Sequence, residues 1–457
     1  MRVTQDEARN TAYRCLMEVL ENQGYSNLVL KQELKESSLA DRDRAFAVAL
    51  FYGTITRVYT IDYVLNRFLQ KDLNTLDPKV RTCLRMGAWQ ALFSYGVKDY
   101  AAVDSIVSLT RKVSNPGAAG LVNAVLRKVV TEGPDMIEAF PAKRIDLKYS
   151  LSKELTGCIV KWYGEEKARS ILESFLKEPK VTLRQNQKVL SSDGALIEIL
   201  AEDGFHIEKD ELPFAYVLEG EGMDISNTRA YREGLCSVQS LSAMLVGVLA
   251  APESGWDVLD TCSAPGGKTA HLAEIMGDKG RIDALDANAV RLQMVDETAS
   301  RLGLTCIRTM PYDATYLPEE MEKLLSEYDL VLTDVPCSGM GLLHRKPDIR
   351  LSMSYEKMQS LLPVQKSILE NSALRVKRGG YLVYSTCTIN PNENEERVSA
   401  FLEEHEDFEA VDMSDILPDC LKKIPTVAEG AKRGMITLLP DEGGWDGFFI
   451  SKMRRKM

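Results

Sequence analysis

The sequence predicts an α/β protein in three parts. A doubly wound parallel sheet is preceded by an all-α bundle and a small α+β connector. Three observations carry this reading. From Gly234 onward, short apolar runs alternate with helix-period segments, the pattern of a sheet built from βαβ units. Residues 1–135 repeat apolar side chains every three or four positions, with scarcely a strand signal. The stretch between them mixes short strands with short helices.

Ala8, Ala12, Cys15, Leu16, Val19 and Leu20 begin the bundle at helical spacing. A second helix spans Asp41 to Tyr59, with Phe46, Ala47, Leu50 and Phe51 inward. Asp77-Pro78 opens a third, with proline at the first helical position. Helix returns from Ala101 to Val113. Asn115-Pro116-Gly117 breaks it, and a helix from Ala119 to Val130 follows, carrying Arg127 and Lys128. Gly133-Pro134 and Pro141 read as a linker closing a first domain, 1–135. The connector, 145–235, holds helix from Leu151 to Leu176 with a break at Trp162-Tyr163-Gly164. Strand signals follow at Lys180–Asn186, Phe205–Glu208 and Tyr216–Glu219, with helix from Asp193 to Leu200.

The third domain, 236–457, carries strands at Asp257–Asp260, Arg281–Asp286, Cys306–Thr309, Leu330–Asp334 and Tyr381–Ser385. Helices lie between them at Val238–Leu249, Thr269–Met276, Ala289–Leu302 and Tyr355–Val376, and one follows at Asn394–Glu404. Trp445–Lys452 ends in an edge strand.

Bulk composition narrows the function classes. The 457 residues are 45% hydrophobic and 27% charged, ordinary globular material. No apolar run approaches the roughly 18 residues of a membrane helix. Nine cysteines without a C-x-x-C pair, and four scattered histidines, point to a reducing cytoplasm and away from disulfides or a metal site. Net charge is -11, yet residues 1–130 hold 18 Lys+Arg against 13 Asp+Glu, or +5. A basic module on an acidic chain suits local phosphate binding.

The candidate pocket starts where the strand Val258-Leu-Asp260 runs into Gly266-Gly267 and a helix. Glycines there let backbone approach a ligand, and the helix N-terminus offers free N–H groups to an anion. A P-loop is excluded, because Cys262 stands at its first glycine position and Pro265 interrupts the loop. A dinucleotide fold lacks its G-x-G-x-x-G. S-adenosylmethionine is the third choice, its carboxylate at the turn. Asp286 ends the next strand, where an acid can hold ribose hydroxyls. Asp313 follows the third, within reach of an adenine amino group. Each acid alone would also suit a cap or turn.

Two cysteines stand apart from the rest. Cys15, Cys83, Cys158 and Cys306 read as core packing, and Cys262 as packing that could line the pocket. Cys337, in Asp334-Val-Pro-Cys-Ser-Gly, and Cys387, in Ser385-Thr-Cys-Thr, both follow strands of one sheet. Ligands of open α/β sheets bind at those ends. Two thiols suit methylation of cytosine C5, where a thiolate adds to C6 and a second thiol assists elimination.

These motifs resemble the RNA 5-methylcytosine methyltransferases of the RsmB/Sun/NOL1-like group, which have a Rossmann-like sheet. The matching pieces are Asp260-Thr-Cys-Ser-Ala-Pro-Gly-Gly-Lys-Thr269, Asp286, Asp313, Asp334-Val-Pro-Cys-Ser-Gly-Met-Gly341, Arg345-Lys-Pro-Asp-Ile-Arg350, Thr386-Cys387 with Asn392-Glu-Asn394, and Asp446-Gly-Phe-Phe449. The resemblance implies Cys387 as nucleophile and Cys337 as the cysteine that helps release product. It implies Asp334 touching methyl donor and base. It implies a cofactor site of Cys262, Ser263, Ala264, Pro265, Gly266, Gly267, Lys268, Asp286, Asp313 and Asp334. Ser263 and Val335 stand where the group commonly has alanine. Val122-Asn-Ala-Val-Leu-Arg-Lys128 resembles a NusB-type RNA-binding domain, which turns the expected substrate towards small-subunit (16S) rRNA. Arg345, Lys346 and Arg350, with Arg127 and Lys128, are the expected RNA contacts, although the first three would also suit a solvated loop. A target base must be flipped or unpaired to reach a thiol. The expected protein is thus a cytoplasmic monomer that uses S-adenosylmethionine and RNA, with no metal and no membrane. Its alternatives are the same chemistry on tRNA, or a non-catalytic RNA-binding factor.

Overall fold

A computed structural model describes residues 2–94, 99–219, 224–316 and 327–457. These divide into two compact units. Of the described residues, the helical unit holds those up to 178 together with Leu343–Tyr355, and the sheet unit holds the rest.

In the helical unit, long helices run over Arg2–Asn22, Ser26–Glu36, Asp41–Thr56, Val58–Phe68, Pro78–Phe93, Asp99–Val113 and Pro116–Glu138. Leu16, Leu50, Phe51, Ile61, Leu84, Ile106 and Leu126 fill their common core. The predicted starts hold for a physical reason. Asp77 and Asn115 cap the helices behind them, accepting from Lys79 N at 2.8 Å and Ala118 N at 2.9 Å, with Pro78 and Pro116 in the first turn. The expected linker at Gly133-Pro134 is instead helix, because Pro116–Glu138 runs through it. Gly133 is buried, and a Cβ there would lie 2.7 Å from Leu92 Cδ2. Close packing holds the helix across a proline that costs it a hydrogen bond.

The segment read as one connector, 145–235, divides between the units. Its helices Lys153–Tyr163 and Glu165–Ser174 belong to the helical unit, separated at Gly164 with φ +77°. Its strands belong to the sheet unit: β1 (Thr182–Gln185), β2 (Ile207–Lys209), β3 (Ala215–Leu218) and β4 (Cys236–Val238) form an antiparallel sheet in the order β2-β3-β1-β4.

The larger sheet has β5 (Asp257–Asp260), β6 (Arg281–Asp286), β7 (Ile307–Pro311), β8 (Tyr328–Asp334) and β9 (Val376–Thr386) in parallel. β10 (Phe408–Ala410), β11 (Met435–Leu438) and β12 (Phe448–Arg455) extend it antiparallel. The order is β10-β12-β9-β8-β5-β6-β7, with β11 also on β12. The chain winds outward in opposite directions from β5 and β8, so the crevice for a ligand opens at their carboxyl ends. Tyr328, Tyr384 and Phe449 are fully buried beneath it, each worth about 1.5–3 kcal/mol of apolar burial or more.

Candidate active site

β5 ends at Asp260 and the chain turns through 261–266 into the helix Gly267–Ile275. Gly266 has φ +101°, and its Cα side lies against helix Ala289–Leu302, where a Cβ would sit 3.0 Å from Val295 Cα. Only glycine meets both demands. Gly267 faces open space: a Cβ there would meet only Gln239 Nε2, at 3.8 Å. The helix thus presents its first N–H groups to the crevice with room beside them.

Asp260 is 1% exposed. Thr269 Oγ1 donates to it at 2.7 Å. Burial pushes its carboxyl up to about 7, with the Asp334 charge adding to the rise. Across the crevice, Asp334 ends β8, and its Oδ2 accepts from Lys268 Nζ at 2.7 Å while Oδ1 accepts from Ser385 Oγ at 2.7 Å. Burial would lower the Lys268 ammonium; the Asp334 carboxylate outweighs it and the net shift is upward. Lys268 also lies over the Phe448 ring at 5.2 Å. One ion pair therefore joins the β5 turn to the β8 end at the switch point.

Asp334 pairs with Ser385 in the β8–β9 ladder, so Cys337 and Cys387 leave adjacent strands side by side. Their Sγ atoms are 3.2 Å apart, and Cys387 N donates to Cys337 Sγ at 3.3 Å. The Cys337 thiol is pushed well above its ordinary range, first by the Cys387 hydrogen bond and then by burial. It keeps its proton and can offer it to Cys387. Antiparallel β12 brings Gly447 against the same loop. Gly447 N donates to Gly341 O at 3.0 Å, and a Cβ on Gly341 would fall 1.9 Å from Gly447 O. Gly341 N in turn donates to Cys387 O at 3.1 Å.

A model of the RsmB/F 16S rRNA methyltransferases matches residues 247–454, and one of the NusB family matches residues 6–131. The chain is 37% identical, over 98% of both sequences, to the probable ribosomal RNA small subunit methyltransferase B of Bacillus subtilis. The chain belongs to the RsmB/F family of 16S rRNA methyltransferases. Among solved structures, PH0851 shares the fold over 97% of this chain and 98% of that one, with TM-score 0.79 and 24% identity. A methyltransferase homologue from Pyrococcus horikoshii covers 71% of this chain and 99% of its own, with TM-score 0.57 and 28% identity. The expected α/β class with a NusB-like helical region is therefore what the chain has.

Within this family framework, the structure gathers most of the residues singled out from sequence. Cys262, Ser263, Ala264, Pro265 and Gly266 form the turn after β5, and Gly267 and Lys268 open the helix behind it. Ser263 Oγ donates to Leu285 O at 2.9 Å and so ties this turn to β6. Burial pushes the Cys262 thiol far up, which keeps it protonated. Asp286, at the end of β6, accepts from Asn288 N at 2.9 Å and lies 3.5 Å from Arg291 Nη1. Arg291 Nη2 also donates to Ala264 O at 2.7 Å, joining the turn to Asp286. Asp313, past β7, is exposed and caps its own turn by accepting from Thr315 N at 2.9 Å.

The basic residues separate. Arg127 and Lys128 are exposed on their helix, Lys346 is exposed and Arg345 half-buried. Arg350 is a correction. It is 0% exposed, and its guanidinium donates to the carbonyls of Tyr149 at 3.3 Å, Ser150 at 3.1 Å and Phe175 at 3.0 Å. A side chain used up inside the helical unit has no face for RNA.

Sequence reasoning assigned no role to Glu393, and passed over Gln365, Asn390 and Thr388. All are buried around the two cysteine loops. The Asn392-Glu-Asn394 run was a signal, but its partners lie 55 and 28 positions away along the chain.

Proposed function

We propose that this chain methylates C5 of a cytosine in 16S rRNA, using S-adenosylmethionine and a covalent Cys387–C6 adduct. The observation that carries the proposal is the pair of thiols 3.2 Å apart at the carboxyl ends of β8 and β9, beside the Gly-rich crevice. Family membership supports the methyl transfer and the rRNA substrate. The residues present suit the cofactor: an open glycine at a helix N-terminus for a carboxylate, and acids after β5, β6 and β7 for an ammonium group and a nucleoside. When bound there, S-adenosylmethionine supplies an electrophilic methyl group on a sulfonium.

The chain's own residues then have these tasks. Cys387 adds as thiolate to C6 of the flipped cytosine, and the C5–C6 π electrons move to make C5 nucleophilic. Asp334, fixed by Lys268 and Ser385, holds the base edge at the crevice. After methyl transfer, the C5 proton leaves to solvent water, the C5–C6 double bond re-forms, and the C6–S bond breaks to return the Cys387 thiolate. Cys337, adjacent and protonated, protonates that leaving thiolate. Arg127, Lys128, Arg345 and Lys346 supply phosphate contacts.

Bisulfite sequencing of 16S rRNA and tRNA from cells with and without the gene tests the proposal. Loss of a methylcytosine in 16S rRNA is expected. Loss in tRNA alone, or no loss, overturns the substrate assignment.

A further inference from the structure

The two cysteine loops converge on one buried carboxylate. Glu393 is 0% exposed. Its Oε2 accepts from Ser338 N at 2.9 Å, the residue after Cys337, and from Gln365 Nε2 at 2.8 Å. Its Oε1 accepts from Asn390 Nδ2 at 2.9 Å, three residues after Cys387. Its backbone carbonyl accepts from Tyr384 OH in β9 at 2.7 Å. A second bridge, Ser338 Oγ to Thr388 Oγ1 at 2.7 Å, joins the loops directly.

Every partner of this carboxylate is a donor that cannot turn round. Ser338 offers a backbone N–H. Gln365 Nε2 is also committed to Pro336 O at 3.0 Å. Asn390 is oriented by Asn392 N, which donates to its Oδ1 at 3.2 Å. Only a group that accepts on both oxygens satisfies all of them; glutamine would point an amide at one. Burying a carboxylate costs several kcal/mol unless such donors offset it. A purely structural position would be filled more cheaply by an apolar side chain.

We propose that Glu393 is a positioning residue that fixes the separation of the Cys337 and Cys387 thiols, and with it the balance between forming and releasing the RNA adduct. The second half rests on the covalent reading above; the first does not. The Glu393 charge also contributes to the high pKa of Cys337.

The test uses the full chain and two readouts. The first is capture of phenylarsine oxide, which forms two S–As bonds with a close thiol pair and releases water, scored by intact mass without RNA. The wild type should bind one equivalent that a Cys337→Ala variant does not. Glu393→Gln should weaken capture about tenfold or more, since a misplacement of about 1 Å can cost about a hundredfold where two groups must be held together. The second readout is the ratio of covalent RNA adduct to turnover, which Glu393→Gln should raise. Gln365→Met removes one donor and leaves the carboxylate. It should shift both readouts the same way but less, and it serves if Glu393→Gln does not fold. Capture unchanged in both variants overturns the inference. Capture weakened, with no adduct in any variant, overturns only the covalent reading.

Discussion

Lys268 in the sheet unit is partly buried and Arg350 in the helical unit fully so, and the partners they meet differ. Lys268 meets a carboxylate, Asp334, at the lip of an open crevice. Arg350 meets main-chain carbonyls in a closed interior, and burial with Arg57 nearby pulls its pKa down to about 9. A cation paired with a carboxylate at an open crevice can exchange that partner for a ligand. A cation held by fixed carbonyls can only pin the chain. The contrast separates chemistry from architecture in two basic residues that look alike on paper.

The sharpest break of this contrast lies at the thiols. Cys387→Ala should reduce methyl incorporation into 16S rRNA to background while cofactor binding, by calorimetry, persists. Surviving activity would remove the sheet unit's claim to the chemistry. Cys337→Ala should hold turnover near a single event and accumulate a slow-migrating protein–RNA band on a denaturing gel. Clean turnover would leave Cys337 without its role.

Lys268→Met probes the exchangeable pairing. It leaves Asp334 facing Ser385 alone and should raise the KM for S-adenosylmethionine by about 10- to 100-fold, the loss expected for a desolvated charge pair. Thermal stability should fall less than in Arg350→Met. That change orphans three carbonyls and should cost roughly 2–4 kcal/mol, read by denaturant melts. Arg127→Ala with Lys128→Ala should leave the melt unchanged and reduce the salt dependence of RNA binding by about one to two in slope. Should the two behaviours be swapped, Arg350 would belong to the RNA surface after all.

A last effect concerns pH. Asp260 has its folded pKa raised to about 7, against about 3.9 in an unfolded chain. The folded state therefore holds a proton that the unfolded state gives up. The stability it contributes is fully present below about pH 4 and is lost as pH rises through 7, by a few kcal/mol at most. Asp260→Asn should flatten that fall in melts between pH 4.5 and 8. Parallel curves for the two proteins would show the carboxyl ionising freely.

Local chemistry made much of this legible. Asp77 and Asn115 cap where capping residues should, Gly164 breaks a helix, and the apolar runs of β5, β6 and β8 fall where alternation placed them. Strands of three or four residues, β4, β10 and β11, are too short to show a period. The helix Ser26–Glu36 starts at Tyr25 with no side-chain cap to announce it. Pro134 reads as a stop because packing at Gly133 is invisible in sequence. At the site, the cysteines were legible because strand ends are. Burial of Arg350 and convergence on Glu393 depend on partners far along the chain.

The contact between Gly341 and Gly447 carries its own consequence. Each backbone occupies the space the other's side chain would need, so neither position can change first. In a saturation library both sites should tolerate glycine alone, whatever the neighbouring residues accept. Any single substitution at either position meets that overlap, and at Gly447 it meets the Ile389 side chain as well.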